Sequence, residues 1–267
     1  MKKAELREVQ DTAYGILVEF DRVCRKYDIK YSMEGGTLLG AVKYGDFVPW
    51  DDDIDVIMLR GEYEKFLKIA PTELQQPYFL QSYQNIPSFP LNYAKLCYTK
   101  SKIYDYSYSQ LEQMNHGIFI DIFPIDYVEP KKMQEQIHMI GLLTGARKKK
   151  LHLELQGVPR WKRLCYAVVS CLPMGVLCFL IDKTCKKYNC RTTGFCYEIC
   201  NPNKNFVPLP SSIYQEYTTL LFRDREFLAV SRYDDFLRTR FGCQYMNTLP
   251  PEDQRKPSHC QNILIER

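Results

Sequence analysis

Apolar positions recur at three- and four-residue spacing between residues 3 and 27, where Leu6, Ala13, Ile16, Leu17, Phe20, Val23, Cys24 and Tyr27 fall near one stripe. That period predicts an amphipathic helix with its charged residues turned outward. The pattern then shortens. Tyr31 to Glu34 reads as a brief strand closed by Gly35-Gly36, and Thr37 is placed to cap a short helix over Leu38 to Val42. Residues 44 to 52 follow as a loop, Asp53 to Met58 as a strand, and residues 61 to 70 as a second helix. Strand-like apolar runs lie near 78 to 83, 92 to 99 and 118 to 123, and a helix is expected over 131 to 151. The C-terminal part carries two short strands, 219 to 222 and 226 to 230, and a helix near 233 to 241. This order predicts an α+β fold, a mixed sheet flanked by helices, in one domain over 1–267 with a helical insert from about 131 to 200.

One part of the insert is apolar enough to raise a membrane question. From Leu164 to Ile181 eighteen residues pass without a charge, the lower limit for a spanning helix. Pro173 and Gly175 interrupt the middle, so two short helices joined by a Leu-Pro-Met-Gly turn are expected instead. Arg160, Lys162 and Arg163 precede the run, and Lys183, Lys186 and Lys187 follow it. With these flanks the segment 161–187 suits either core packing or peripheral contact with an anionic membrane surface.

Composition narrows the function classes. The chain has 267 residues, 45% hydrophobic and 25% charged, ordinary values for a globular protein. Its net charge of +4 fits an anionic substrate or membrane surface but falls short of a nucleic-acid footprint, so no nucleic-acid partner is expected. The start, MKKAELREVQ, has no apolar signal core, which points to a cytoplasmic protein with reduced thiols. Among the 11 cysteines, Cys185, Cys190, Cys196 and Cys200 cluster. They lack the Cys-x-x-Cys spacing of zinc knuckles, so zinc and plain thiols stay open as alternatives.

The chemistry concentrates in "VPWDDDIDVIM", Val48 to Met58, which sets four carboxylates in five positions against a strand-like run. Such charges repel, and their desolvation is costly without a compensating cation. At period two, Asp53 and Asp55 share one strand face while Ile54 and Val56 enter the other. Two carboxylates on one face are hard oxygen ligands suited to Mg2+ or Mn2+. A third candidate, Asp121, sits within the apolar run Ile118 to Phe123; the alternative is that it pairs with a core Lys or Arg. Gly35-Gly36, between strand and helix, lets backbone N–H groups approach a phosphate, with Thr37 beside them. Asp51 and Asp52 are expected to cap, position or face solvent. Lys95 is a candidate for neutralising phosphate charge or a solvated strand lysine, and Trp50 either faces a quaternary ammonium or belongs to the core.

The order strand, Gly-Gly, helix, strand with Asp-x-Asp, later strand with Asp resembles the nucleotidyltransferase fold. The wider stretch "YSMEGGTLLGAVKYGDFVPWDDDIDVIMLRGEYEKF" resembles the signature of the LicD family, the cholinephosphotransferases of bacterial surface glycans, whose core the fukutin-type glycan phosphotransferases share. "HGIFIDIFPID" (116–126) is similar to that family's second block, and "RYDDFLRTRFGCQYMNTLPPEDQRKPSH" (232–259) to its closing block. Phe241-Gly242-Cys243-Gln244 departs from the closing pattern, as does Cys260 after His259. The loop 44–52 is an insertion relative to ordinary nucleotidyltransferases. The resemblance implies a phosphotransferase moving a phospho-alcohol, most simply phosphocholine from CDP-choline, to a hydroxyl of a lipid-linked glycan (lipopolysaccharide, teichoic acid or capsule), with release of CMP. It implies catalytic residues Asp53, Asp55 and Asp121 holding Mg2+ or Mn2+, with Asp121 either completing the metal site or taking the acceptor proton, and a donor held by Gly35, Gly36, Thr37, Trp50 and Lys95. It also suits peripheral attachment at the inner membrane face. The rival readings are a nucleotidyltransferase releasing pyrophosphate and a non-catalytic glycan- or nucleotide-binding module on the same fold.

Overall fold

The computed structural model describes residues 2–266 apart from 105–107, 109, 156, 192, 203–206, 253–254 and 258–262. Its elements in chain order are β1 (Lys2–Lys3), α1 (Leu6–Lys26), β2 (Ser32–Met33), α2 (Gly35–Tyr44), β3 (Asp55–Leu59), α3 (Arg60–Glu73), β4 (Tyr78–Gln81), β5 (Ala94–Tyr98), β6 (Ser101–Ile103) and β7 (Phe119–Tyr127). The second half adds α4 (Met133–Lys150), α5 (Arg160–Val169), α6 (Met174–Cys185), β8 (Phe195–Tyr197), β9 (Leu209–Pro210), β10 (Tyr217–Phe222), β11 (Arg225–Val230), α7 (Tyr233–Phe241) and β12 (Ile263–Ile265).

The first helix forms as its pattern predicts. Val9, Ala13, Ile16, Leu17, Phe20, Val23 and Cys24 are buried along one stripe, and Glu5 and Glu8 close a capping box at its start. Fully burying a side chain such as Leu17 or Phe20 is worth about 1.5–3 kcal/mol each, which holds this helix to the sheet far more firmly than its intrinsic propensity does.

The central sheet runs β2-β3-β7-β5-β4. β3 and β7 are parallel, while β2 with β3, β5 with β7 and β4 with β5 are antiparallel. The sheet is therefore mixed and the fold α+β. β7 is buried along eight of its nine residues, which is why it reads as a continuous apolar run, and its far half also pairs with β8. A hairpin, β10–β11, and a small sheet, β1-β12-β6, stand apart from the central one.

The insert helices pack on a second apolar cluster, with Ile140, Leu143, Leu177 and Ile181 meeting Tyr197, Ile199 and Cys200. α5 and α6 are two helices as expected, joined at Pro173 and meeting at 111°. Among the described residues no single helix is long and apolar enough to cross a membrane. Cys185, Cys196 and Cys200 are buried and Cys190 exposed. Among the described residues no cysteine belongs to a set of three close enough to hold a metal ion.

Candidate active site

Two local departures from expectation shape the site. The helix after Gly-Gly begins at Gly35 rather than Leu38, with Glu34 as its N-cap residue. Thr37 therefore lies in the first turn and does not cap. Its hydroxyl Oγ1 accepts from the Asp55 backbone N–H at 2.9 Å, tying the helix start to the start of β3. The strand in turn begins at Asp55 rather than Asp53, and the Glu34 N–H donates to the Asp55 carbonyl at 3.0 Å.

The glycine pair has a steric role in each member. Gly35 adopts φ +52°, a left-handed conformation that favours glycine. At Gly36 a Cβ would collide with the Asp51 carboxylate, so the side absent from this residue is filled by the acid loop. Gln10 Nε2 fixes that loop by donating to the Asp51 carbonyl at 2.8 Å. Asp51 is thus held against α2 and Asp52 is 1% exposed, so of the expected roles, to cap, position or face solvent, the positioning one fits Asp51 and solvent exposure is excluded for Asp52. Oxygens of Asp51, Asp52 and Asp53 lie within 4.8 Å of one another.

Across the sheet, register builds a row. Asp55 on β3 stands beside Asp121 on β7, which stands beside Lys95 on β5. Neighbours in register share a sheet face, so these three side chains stand in a row on one face. Lys95 Nζ donates to Asp121 Oδ1 at 2.5 Å and lies 3.2 Å from the Phe119 ring centroid. Lys95 is 2% exposed, so it is no solvated strand lysine, and the pairing of Asp121 with a core lysine is realised.

The pair does not neutralise its surroundings. Burial pushes the Asp55 carboxyl well above the usual range, and the charges of Asp53, Asp121, Glu34 and Glu198 add to the shift. Glu198 is raised well above the usual range by burial and by Glu34, against the opposing pull of Arg240. Glu34 is raised by burial, with Arg240 Nε 3.5 Å from its Oε1 working the other way. Seven carboxyls, Glu34, Asp51, Asp52, Asp53, Asp55, Asp121 and Glu198, are thus linked by proximity or repulsion, with Lys95 and Arg240 as cations against them. A concentration of hard oxygen donors with negative charge in excess fits a divalent ion such as Mg2+. Asp53 is common to the tight set 51–53 and to the expected set Asp53, Asp55, Asp121, and the latter is not among the sets of three that converge within 4.8 Å in the described residues.

Trp50 lines a shallow groove with Lys43, Tyr44, Pro49, Met246, Asn247 and Leu249, and Arg255 lies 5.9 Å from its ring centroid. The ring face expected to meet a quaternary ammonium already meets a guanidinium there. His259 and Cys260 of the closing block lie outside the described residues.

A family model described as LicD/FKTN/FKRP, nucleotidyltransferase domain, matches residues 28–152, the segment holding the Gly-Gly turn, the acid loop, Lys95 and Asp121. Over 278 aligned positions the chain is 31% identical to the lipopolysaccharide cholinephosphotransferase LicD of Haemophilus influenzae, covering 99% of this chain and all of that protein. The chain belongs to the LicD family. A shorter likeness, 39% over 51 residues, links it to the ribitol 5-phosphate transferase FKRP of human and mouse, covering 19% of this chain and 10% of theirs.

Three residues of this candidate site are not foreseen from the sequence: Glu34, Glu198 and Arg240. Glu198 and Arg240 lie beyond the span of the family model. Glu198 carried a usable signal, because it interrupts the apolar run Phe195-Cys196-Tyr197-Glu198-Ile199-Cys200 as Asp121 interrupts its own. Glu34, directly before the glycine pair, could have been weighed with them. Arg240 offered no sign, being one of five arginines between residues 223 and 240 with no evident pattern among them.

Proposed function

We propose that this LicD family chain is a phosphotransferase that moves a phospho-alcohol, phosphocholine foremost, from a CDP-activated donor to a hydroxyl of a cell-surface glycan. The observation that carries the reading is the crowding of carboxyls against the start of α2, in a chain similar over its whole length to a lipopolysaccharide cholinephosphotransferase. In the transfer the acceptor oxygen attacks the phosphorus bearing the alcohol, the phosphoanhydride bond breaks, CMP leaves, and the hydroxyl proton passes to a carboxylate. Asp53, Asp55 and Asp121 would hold the divalent ion, with Asp51 and Asp52 beside Asp53. When bound, the ion supplies charge neutralisation for donor phosphates that the carboxyls alone would repel.

The chain's own groups do the remaining work. The first-turn N–H groups of α2, at Gly35, Gly36 and Thr37, face the donor phosphates with the positive end of the helix dipole. Lys95 holds Asp121 in place, and its hydrogen bond keeps one oxygen of that carboxylate from turning. Glu198, whose affinity for protons burial and Glu34 raise, stands near Asp121 as a second carboxyl that could take the proton.

A panel of CDP-choline, CDP-ribitol and CDP-glycerol with Mg2+ and a glycan acceptor tests the reading. CMP release with at least one donor, dependent on the ion and on acceptor, is the expected result. Pyrophosphate release from CTP would instead favour a nucleotidyltransferase, the activity named in the family model's description. Binding of donor or glycan without either product would leave a non-catalytic module.

A further inference from the structure

α5 is the helix whose place in the fold burial does least to explain, because none of its residues is buried. Trp161, Leu164 and Val168, three and four residues apart on one stripe, are 65%, 68% and 67% exposed. On α6 the stripe Leu177, Cys178, Ile181 and Cys185 packs inward, while Val176 and Phe179 face solvent, Phe179 at 62% exposure. Met139 is exposed on the outer turn of α4. Two grooves flank that turn. One, of about 530 Å3, is lined by Ile137, His138, Leu142, Trp161 and Tyr166. The other, of about 840 Å3, is lined by Met139, Phe179, Lys183, Lys186 and Lys187 together with the acids Glu135 and Asp182. Large exposed apolar patches on soluble domains mark binding surfaces.

Charge identifies what the surface fits. Between residues 148 and 187 stand Lys148, Lys149, Lys150, Arg160, Lys162, Arg163, Lys183, Lys186 and Lys187, against Glu154 and Asp182. Asp182 is already engaged by Tyr83, Arg60 and Lys186. With Glu135 of α4 counted as well, the rim of the apolar stripes still carries a clear excess of positive charge. A second copy of this chain would meet that rim with the same sign, which disfavours self-association there. A bilayer with anionic headgroups complements both parts at once. The 111° bend at Pro173 sets the helices across one another instead of end to end, a shape for lying on a surface.

We propose that α5, α6 and the outer turn of α4 form a peripheral docking face for an anionic bilayer. Trp161, Leu164, Val168 and Phe179 enter the boundary between headgroups and acyl chains, and the basic rim rests on the headgroups. The proposal does not depend on the enzymatic reading.

The chain has two tryptophans, so a Trp50→Phe variant reports on Trp161 alone. With vesicles of phosphatidylglycerol and phosphatidylcholine at low salt, we expect a blue shift of Trp161 emission, its quenching by lipids brominated near the headgroup, and co-sedimentation of the full chain. Vesicles of phosphatidylcholine alone should bind far less, and about 0.5 M salt should release the protein. Lys183→Glu with Lys187→Glu should weaken binding by roughly fivefold per charge. Leu164→Ser with Phe179→Ser should weaken it by about tenfold or more, with circular dichroism unchanged because both residues are exposed. No co-sedimentation at low salt, equal binding to neutral vesicles, release by detergent alone, or concentration-dependent dimerisation abolished by the same Leu164 and Phe179 substitutions would each overturn the proposal.

Discussion

β7 carries a buried carboxylate toward each end, and the two are held in opposite ways. Asp126 is fully buried, and Arg60 grips both of its oxygens, Nε to Oδ1 at 2.9 Å and Nη2 to Oδ2 at 2.5 Å. Asn189 Nδ2 adds a third hydrogen bond at 2.6 Å. Charge and hydrogen-bonding capacity are matched, and the pair joins the start of α3 to β7 and the end of the insert. Asp121, five residues back and on the other face, has Lys95 on one flank and Asp55 on the other, with Glu198 also near enough to be repelled. A buried acid in an apolar strand is thus not by itself the mark of a site. The mark is an excess of acids over the cations that could satisfy them, since a fold gains nothing in stability from leaving that excess in place.

The sharpest way to break this comparison is to remove the matched pair. Asp126→Ala strands a buried guanidinium, and urea unfolding should register a loss of about 3–5 kcal/mol. Arg60 lies 3.6 Å from Asp182, which places the expected loss toward the lower end. Adding Arg60→Met to the same chain should recover much of it. CMP release per folded molecule should stay at the wild-type level throughout. A collapse of turnover with stability intact would place Asp126 in the working site and erase the contrast between the two ends of the strand.

The unmatched end should respond with the opposite pair of signs. Asp53→Asn or Asp55→Asn should lower turnover by about a hundredfold or more, equivalent to roughly 2.7 kcal/mol of transition-state stabilisation. Because each removes a repelled charge, the metal-free variants should melt no lower than wild type, and Asp55→Asn should melt higher. Added Mg2+ should raise the wild-type melting temperature and leave that of Asp55→Asn nearly unmoved. Near-normal turnover of either variant at limiting Mg2+ would remove these residues from the metal site.

The acids of the unmatched end stand out in the sequence, whereas the Arg60–Asp126 pair joins residues 66 positions apart and does not. α1, β3 and β7 follow from local periodicity, and Asp121 stood out because an acid inside an apolar run is costly. Thr37 was misread as a cap because its hydroxyl is taken by the Asp55 N–H, a partner eighteen positions away that no local pattern reveals. The Lys95–Asp121 bond likewise depends on the register of β5 against β7. Glu34, Glu198 and Arg240 come from three distant segments and acquire their meaning only by meeting. β1, β6 and β12 are two or three residues long, and each exists through pairing with chain far away, as in Ile263 opposite Ile103.

The smallest expected effect lies in pH. Asp55 and Glu198 have folded-state proton affinities raised above those of an unfolded carboxyl, so the stability they contribute is fully present below about pH 4 and is lost as pH rises through the folded values. Asp46 is the counterexample. Burial pushes its carboxyl up, but hydrogen bonds from Arg223 at 2.6 Å and Arg7 at 2.9 Å outweigh it, and the net shift is downward. Its contribution is present above the unfolded value and lost as pH falls through the folded one. Measured without metal as the difference from wild type, Asp55→Asn should therefore gain stability with rising pH from a starting point near zero at about pH 4. Asp46→Asn should lose stability over the same climb, by no more than about 1 kcal/mol for a pair this near the surface. Mg2+ should flatten the first difference and leave the second alone, because only the first arises from charge that a cation can relieve. If the two curves ran in the same direction, the division between matched and unmatched carboxyls would not hold.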